Sequence, residues 1–279
     1  MSGFDPQWLA LREAADHRSR NAELASALNA RLALRDAISV FDLGCGTGSN
    51  LRAMCELLPA VQSWTLVDND GALLNAAREA LSAWADACET AGDGGLKLKK
   101  GTRKLNISFK PFDLNGALAE ILDPGADLVT AAAFFDLASP AFIRRLAAEV
   151  TQRRAVFYTV LTYNGVQRWT PRRPADNQMT GAFNRHQMSD KGLGPSAGPT
   201  APAQLADQFS ICGYSVMEGD SPWRLSAPRD AALIFELAKG HATAVEETGA
   251  VDKATIERWL QIGHTGAEIG HTDTLAMPA

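Results

Sequence analysis

Residues 39–50 read SVFDLGCGTGSN, and the rest of the chain is organised around this segment. It begins with the β-favouring residues Val40 and Phe41 and passes through an acidic residue, Asp42. Three glycines then alternate with other residues: Gly44, Gly46 and Gly48. Because an apolar pattern of helical spacing follows, the segment predicts a strand, a glycine turn and a helix, the unit in which a ligand approaches bare backbone.

The glycine spacing differs from that of a dinucleotide-binding turn. The dinucleotide fingerprint is G-x-G-x-x-G, and Ser49 stands here at its third glycine position. The pattern present, acidic-x-G-x-G-x-G, resembles the first motif of class I S-adenosylmethionine-dependent methyltransferases. A tight turn whose glycines serve packing alone is the alternative. An NAD-type oxidoreductase is disfavoured by Ser49 and by the Asp42 carboxylate.

The resemblance implies a cofactor site at this turn. It implies that the glycines pass beneath the methionine part of the cofactor and that a carboxylate at Asp42 lies near the ammonium group. The pairing is chemically sensible, because an ammonium forms strong hydrogen bonds with an anion. The resemblance therefore assigns these residues of the turn to cofactor binding: Asp42, Gly44, Cys45, Gly46, Gly48 and Asn50.

Two later strand ends carry acidic residues suited to the rest of the cofactor. Asp68 lies about 20 residues beyond the glycines, where a carboxylate accepts both ribose hydroxyls, and Asn69 follows it. Asp70 is predicted to cap the next helix. The third predicted strand ends at Asp113 and Leu114, which the resemblance assigns to the adenine amine and ring. A loop cap is the alternative for Asp113.

The fourth and fifth predicted strands end where the resemblance places the methyl group. We predict Ala132 as a cofactor contact, Phe135 as a substrate contact, and Asp136 and Tyr163 as catalytic candidates. The segment lacks the acid-or-Asn-Pro-Pro-aromatic block of DNA amino methylases, which counts against that substrate class.

Residues 166–203 form a Gly/Pro-rich insertion after the fifth strand, and we predict a lid that grips the acceptor. His186 is the first candidate for a general base, because imidazole titrates near neutral pH. Asp190 and Lys191 are predicted recognition groups, and Arg224 is predicted to face the lid. A surface Ω-loop with incidental charges is the alternative.

Residues 6–34 predict a helix broken near Asn21. Arg12, Asp16 and Arg20 recur at a spacing of four and share one face. This face is interpreted either as a solvated charged stripe or as a cap that places Arg12 or Arg20 on the methionine carboxylate.

The composition fits a globular α/β protein. The 279 residues are 46% hydrophobic and 21% charged, and a formal charge of −5 argues against a nucleic-acid-binding body. The four cysteines form no C-x-x-C pair, so we predict reduced thiols and no metal site. We find no signal core and no run of roughly 18 apolar residues, and we predict a cytoplasmic protein without a membrane span.

The resemblance extends along the chain to a functionally unassigned bacterial branch of the class I methyltransferases. It rests on these segments: WLALREAADHRSR, LVDND, DLVTAAAFFDL, HQMSDKGLG, SPWRLS and GHTDTLAMP. It implies a Rossmann-like, mostly parallel sheet of seven strands. The sequence departs from this family pattern, because two helices are predicted between the sixth and seventh strands. We predict one domain over residues 1–279, with the following parts: a cap over 1–34, a cofactor-binding core over 35–165, the lid over 166–203 and a C-terminal part over 204–279.

The predicted activity is methyl transfer from S-adenosylmethionine to an O, N or C nucleophile of a small polar or heteroaromatic metabolite. The alternative is an S-adenosylmethionine-binding partner or regulatory module that does not catalyse. The sequence predicts no oligomeric state.

Overall fold

The computed structural model describes residues 5–92, 94–122 and 125–279, and within them ten strands form a single sheet. The strands are β1 Ala37–Leu43, β2 Val61–Asp68, β3 Ala87–Thr90, β4 Leu96–Lys100, β5 Arg103–Pro111, β6 Leu128–Ala132, β7 Val156–Thr170, β8 Tyr214–Asp220, β9 Trp223–Ser226 and β10 Gly266–Pro278. The helices are α1 Pro6–Ser19, α2 Ala22–Leu32, α3 Ser49–Met54, α4 Gly71–Trp84, α5 Ala119–Leu122, α6 Pro140–Gln152, α7 Asp176–Gln187, α8 Ala201–Ile211, α9 Ala231–Thr248 and α10 Lys253–Gln261.

The strand order across the sheet is β3-β4-β5-β2-β1-β6-β7-β10-β8, with β9 paired to β10. The five central strands, from β5 to β7, run parallel, and β10 is antiparallel to both of its long neighbours. This is the predicted mostly parallel α/β sheet. Its order reverses between β1 and β6, and such a switch point creates a crevice at the carboxyl ends of the strands.

The predicted count of seven strands was too low for the described residues. The expected strands correspond to β1, β2, β5, β6, β7, β8 and β10. The hairpin of β3 and β4 extends one edge of the sheet. Helix α4 stops at Trp84 because Ala87–Thr90 instead pair with Leu96–Lys100, a tertiary pairing that helical propensity does not encode.

The hydrophobic core lies on both faces of the sheet. Successive residues of each central strand alternate between two clusters, as the pleat requires: Val40 and Leu66 belong to one, and Phe41 and Val67 to the other. Both faces are apolar because helices cover both, which explains the near-continuous hydrophobic runs of the central strands.

The N-terminal helix is broken at Asn21, as predicted. The Asn21 side chain accepts hydrogen bonds from the backbone N–H groups of Glu23 and Leu24, both at 3.1 Å, and so begins α2. Its own N–H donates to the Asp273 carboxylate at 2.8 Å, which fastens the break to β10. The first four residues of the predicted cap lie outside the described residues.

The insertion after the fifth strand begins later than predicted. Residues 166–170 continue β7, because they pair with the start of β10. Helix α7 follows, and residues 188–197 then cross the carboxyl ends of the strands. The crossing is fastened at Gly192, whose carbonyl accepts from the Asn115 amide at 2.9 Å, and at Ser196, whose hydroxyl donates to the Leu137 carbonyl at 2.8 Å.

Helices α9 and α10 lie between β9 and β10 in the chain, as the sequence predicted. The division into cap, core, lid and C-terminal part stays a prediction. Within the described residues, no helix is both long enough and apolar enough to cross a membrane.

Candidate active site

A cavity of about 1150 Å³ opens at the carboxyl ends of β1, β2, β5 and β6. Helix α1 and the crossing residues 190–193 cover it. Its walls come from these residues: Asp5, Trp8, Leu9, Arg12, Asp16, Arg20, Gly44, Cys45, Gly46, Thr47, Ser49, Asn50, Asp68, Asn69, Asp70, Gly71, Leu73, Phe112, Asp113, Leu114, Ala132, Ala133, Phe134, Leu137, Asp190, Lys191, Gly192 and Leu193. The site is thus at the crevice that the sheet topology creates.

The glycine turn presents bare backbone to this cavity. Gly44 and Gly46 line it and have φ values of +62° and +52°, which side chains rarely adopt. A Cβ on Gly44 would lie 2.7 Å from the Phe134 ring. Gly48 does not line the cavity with its neighbours. It precedes α3 with φ +75° and lies against Leu81 of α4.

Asp68 lies at the tip of β2 and ties that strand to the glycine turn. One carboxylate oxygen accepts from the Gly46 N–H at 2.9 Å, and the other accepts from the Asp70 N–H at 3.0 Å. Burial raises the pKa of Asp68, and these backbone hydrogen bonds oppose the shift. Asn69 also lines the cavity, and Asp70 caps α4 as predicted, accepting from the Ala72 N–H at 2.8 Å.

The end of β5 supplies a carboxylate next to apolar side chains. Asp113, Leu114 and Phe112 all line the cavity. One oxygen of Asp113 accepts from the Asn115 backbone N–H at 2.9 Å, so the loop cap considered as an alternative is present as well. A carboxylate beside a flat apolar wall suits a ring that carries an amine.

Asp42 does not line the cavity. Its side chain is fully buried, and one oxygen accepts from the Asn50 amide at 2.8 Å. Asn50 in turn accepts from Arg20 at 2.9 Å, and both of these residues reach the cavity wall. Burial raises the pKa of Asp42 to about 7, and its second oxygen has no hydrogen-bond partner among the described residues. Asp42 therefore acts on the cavity through Asn50.

The charged face of α1 lines the cavity instead of facing bulk solvent. Arg12 donates two hydrogen bonds to Asp16, at 2.9 and 3.2 Å. Trp223 of β9 donates to the same carboxylate at 2.9 Å, and the Arg12 guanidinium lies 4.9 Å from the Trp223 ring centre. This geometry favours the cap interpretation of the helix over the solvated stripe.

The predicted catalytic residues are not brought together. His186 pairs with Glu247 of α9 at 2.8 Å, outside the described residues that line the cavity. The Tyr163 hydroxyl donates to Asn184 at 2.7 Å and accepts from Gln167 at 2.8 Å, so it is engaged in the packing of α7. The ring also lies 3.3 Å from Nζ of Lys191, which lines the cavity, so His186 lies behind the cavity wall and its role as a general base stays a prediction.

Asp136 is also buried behind the cavity wall. It lies in a short 3₁₀ turn, Phe135–Leu137, that follows β6. Burial raises the pKa of Asp136 to about 6, opposed by backbone hydrogen bonds and by the nearby Arg12 charge. Asp136 lies near Arg12, and Arg12 lines the cavity, so Asp136 influences the cavity through the Arg12 side chain.

The predicted substrate residues divide into two groups. Asp190 and Lys191 line the cavity, and burial lowers the pKa of Lys191. Phe135, in contrast, is fully buried and packs edge-on against Phe157 at 5.4 Å, so its prediction as a substrate contact was wrong. The 3₁₀ turn directs Phe135 into the core and leaves Phe134 facing the cavity.

Arg224 lies on β9, exposed, and lines a separate smaller cavity.

Sequence reasoning missed the apolar part of the main site, which consists of Trp8, Leu9, Phe134, Leu137 and Leu193. These residues come from three separate segments without a shared motif. Only the helical spacing of the apolar residues of α1 could have pointed to the first two.

The charge of the cavity is negative. Among the described lining residues six are aspartates, and three are basic: Arg12, Arg20 and Lys191. Such a lining favours a ligand with positive charge and disfavours a pyrophosphate.

The sequence matches no protein-family model and no curated protein. Solved structures nevertheless share the fold. The YcgJ protein of Bacillus subtilis is 10% identical, with 92% of this chain and 99% of that chain covered at a TM-score of 0.50. A provisionally named methyltransferase of Bacillus halodurans is 12% identical, with 93% and 100% covered at 0.51. A cyclopropane-fatty-acyl-phospholipid synthase-like protein of Lactobacillus casei is 14% identical, with 95% and 99% covered at 0.52. At these identities the likeness establishes the fold, which is that of the class I methyltransferases.

Proposed function

We propose that this chain is an S-adenosylmethionine-dependent methyltransferase that acts on a small molecule. One observation carries the proposal: the glycine turn and the Asp68 carboxylate, joined by the 2.9 Å hydrogen bond, form one wall of a large, acidic cavity at the switch point of the sheet.

The lining residues fit the parts of this cofactor. The Gly44 and Gly46 backbone leaves room where a Cβ would collide, Asp68 would hold the ribose, and Asp113 with Leu114 would hold the adenine. The Arg12 guanidinium, which lines the same cavity, is suited to the methionine carboxylate. The excess of aspartates fits a ligand with a sulfonium and an ammonium group. A dinucleotide with its pyrophosphate fits poorly.

When bound, S-adenosylmethionine supplies a methyl group already activated by its sulfonium. The chain's own task is then to align an acceptor and to exclude water. Trp8, Phe134 and Leu137 give apolar surface for a flat acceptor, and Asp190 and Lys191 give a polar end. These walls support an O, N or C nucleophile on a small polar or heteroaromatic molecule.

The four cysteines are free thiols, which fits a reducing compartment, and we place the enzyme in the cytoplasm.

A non-catalytic S-adenosylmethionine-binding module is the second candidate. It is favoured by one observation, that the three predicted catalytic side chains stand outside the cavity wall. Methyl transfer from radiolabelled cofactor to any acceptor of a metabolite panel separates the two.

The first test is calorimetric titration of S-adenosylmethionine and S-adenosylhomocysteine into the purified chain. Saturable binding of either is expected, together with no response to NAD⁺. If a folded sample bound neither compound, the glycine turn would not be a cofactor site and the proposed function would be abandoned.

A further inference from the structure

A second, smaller cavity of about 350 Å³ shares Arg20 with the main cavity. It is formed by the end of α1, the start of α2, the β8–β9 connection, β9 and the turn before α9. Four of its lining residues are arginines: Arg18, Arg20, Arg224 and Arg229. Their grouping is unusual for a chain whose formal charge is −5, and it makes this region locally basic.

The carboxylates that face Arg18, Arg224 and Arg229 do not balance their three charges. Asp230 accepts from Arg18 at 2.7 Å and from Arg229 at 2.9 Å, so one carboxylate serves two guanidinium groups. Asp220 lines the cavity and is the second acid. Arg20 has other acidic neighbours, Asp16, Asp42 and Asp273, so the remaining three guanidinium groups face two carboxylates and leave one uncompensated positive charge among the described residues at this site.

Two of the arginines have donors to spare. The Arg224 guanidinium makes no hydrogen bond or ion pair with any described residue. The Arg20 guanidinium donates from one Nη to Asn50, while its Nε is buried without a partner. A buried guanidinium N–H that lacks an acceptor is costly, and a bound anion would satisfy it.

We propose that this cavity binds the phosphate group of a small phosphorylated metabolite. A guanidinium fork matches phosphate oxygens bidentately, and a phosphate monoester at pH 7 carries a charge between about −1.5 and −2. The volume lies within the range for small-ligand sites. The Asp220 carboxylate repels any anion that enters the cavity. Asn21 is no donor for the anion, because it already donates hydrogen bonds to the Asp220 carbonyl and the Asp273 carboxylate.

Phosphate is also a lipid headgroup, and the concave shape of the site favours the free metabolite over a membrane surface. The proposal does not depend on the identity of the cofactor, since it rests on arginines that lie outside the main cavity, with Arg20 as the only shared residue among those described.

The test is calorimetric titration of inorganic phosphate into the full chain at low ionic strength in a phosphate-free buffer. We expect saturable one-to-one binding to the wild type, at least tenfold weaker binding to Arg224→Gln, and wild-type affinity in Arg172→Gln. Arg172 is exposed and lies outside both cavities, so it controls for the loss of a surface charge. Arg229→Gln is a second variant, and the thermal midpoints of all variants show whether each is folded.

The proposal fails if phosphate does not saturate the wild type, or if Arg224→Gln and Arg229→Gln both bind as the wild type does. It also fails if inorganic phosphate does not bind while phosphatidylglycerol vesicles bind the wild type and not Arg224→Gln. Because no step uses S-adenosylmethionine, failure here and failure of the proposed function are separate results.

Discussion

The Asp68 carboxylate accepts a hydrogen bond from the backbone N–H of Gly46 at 2.9 Å, across the boundary between β2 and the glycine turn. The neighbouring Cys45 N–H donates to the Val67 carbonyl at 3.0 Å and continues the pairing of β1 with β2 past the end of the strands. The tip of β2 thereby fixes the position of the turn. The same carboxylate that shapes the turn is the group that we propose to hold the ribose.

Asp68→Asn should weaken binding of S-adenosylhomocysteine by about 10- to 100-fold, because a hydrogen bond to a charged group is worth roughly 1.5–3 kcal/mol. Calorimetric titration measures the effect. Asp207→Asn, an exposed acid on α8, is the matched control and should bind as the wild type does. Equal affinities of Asp68→Asn and wild type would remove Asp68 from the cofactor site.

Gly44→Ala should destabilise the chain by at least ~1–2 kcal/mol. The new Cβ would meet the Phe134 ring at 2.7 Å, and the φ of +62° is unfavourable for any L side chain. Gly240→Ala is the opposing control, because Gly240 is exposed within α9 with open space around its Cβ. Alanine there should stabilise by roughly 0.5–1 kcal/mol.

Denaturant unfolding followed by circular dichroism measures both changes in the free energy of unfolding. If Gly44→Ala were as stable as the wild type, the close approach of the turn to Phe134 would not exist in solution.

Asp42 should make the folded chain less stable as the pH rises from about 4 to about 7. Its folded pKa, raised by burial to about 7, exceeds the unfolded value of roughly 4, so in this window the folded state binds the proton more tightly. Asp42→Asn removes the titrating group. The wild-type free energy of unfolding minus that of Asp42→Asn should therefore fall across the window, and it should level off above about pH 7.

The measurement is urea unfolding of both proteins at several pH values between 4 and 8. Asp207→Asn serves again as the control for loss of an exposed negative charge. If the difference in the free energy of unfolding between wild type and Asp42→Asn stayed constant over this range, burial would not raise the pKa of Asp42.

His186→Gln should leave cofactor affinity unchanged and alter the free energy of unfolding by less than about 1 kcal/mol. The His186 ring pairs with Glu247, whose side chain is 60% exposed, and exposed ion pairs contribute little. Titration of S-adenosylhomocysteine and denaturant unfolding of the variant check both parts. A tenfold loss of affinity would return His186 to the cavity wall.

Local patterns in the sequence were sufficient for the elements that build the cofactor side. The β-favouring residues of β1, the three glycines and the acids after β2 and β5 lie within short segments, and backbone geometry alone brings the carboxyl ends of neighbouring parallel strands together. Gly44, Gly46, Asp68, Asp113 and their neighbours could therefore be predicted as lining residues. The caps at Asn21 and Asp70 were equally local.

On irregular segments, local patterns could not predict which of two nearby side chains faces the cavity. Phe134 faces the cavity and Phe135 fills the core because a 3₁₀ turn lies between β6 and α6. Lys191, in the irregular segment after α7, lines the cavity, while His186 near the end of α7 pairs with α9. In such segments no period of 2 or 3.6 residues links position to direction, so packing against distant elements sets the outcome.

The sequence by itself determined the parallel centre of the sheet, the glycine turn and the acids at the strand tips, since these follow from local propensity and from the fixed geometry of parallel strands. Only the tertiary structure decided that Arg12, Asp16 and Arg20 close the cavity, and that Asp42 is buried behind Asn50. The physical reason is distance along the chain: Asp16 of α1 is held by Trp223 of β9, 207 residues away, and Asn21 is held by Asp273 of β10, 252 residues away.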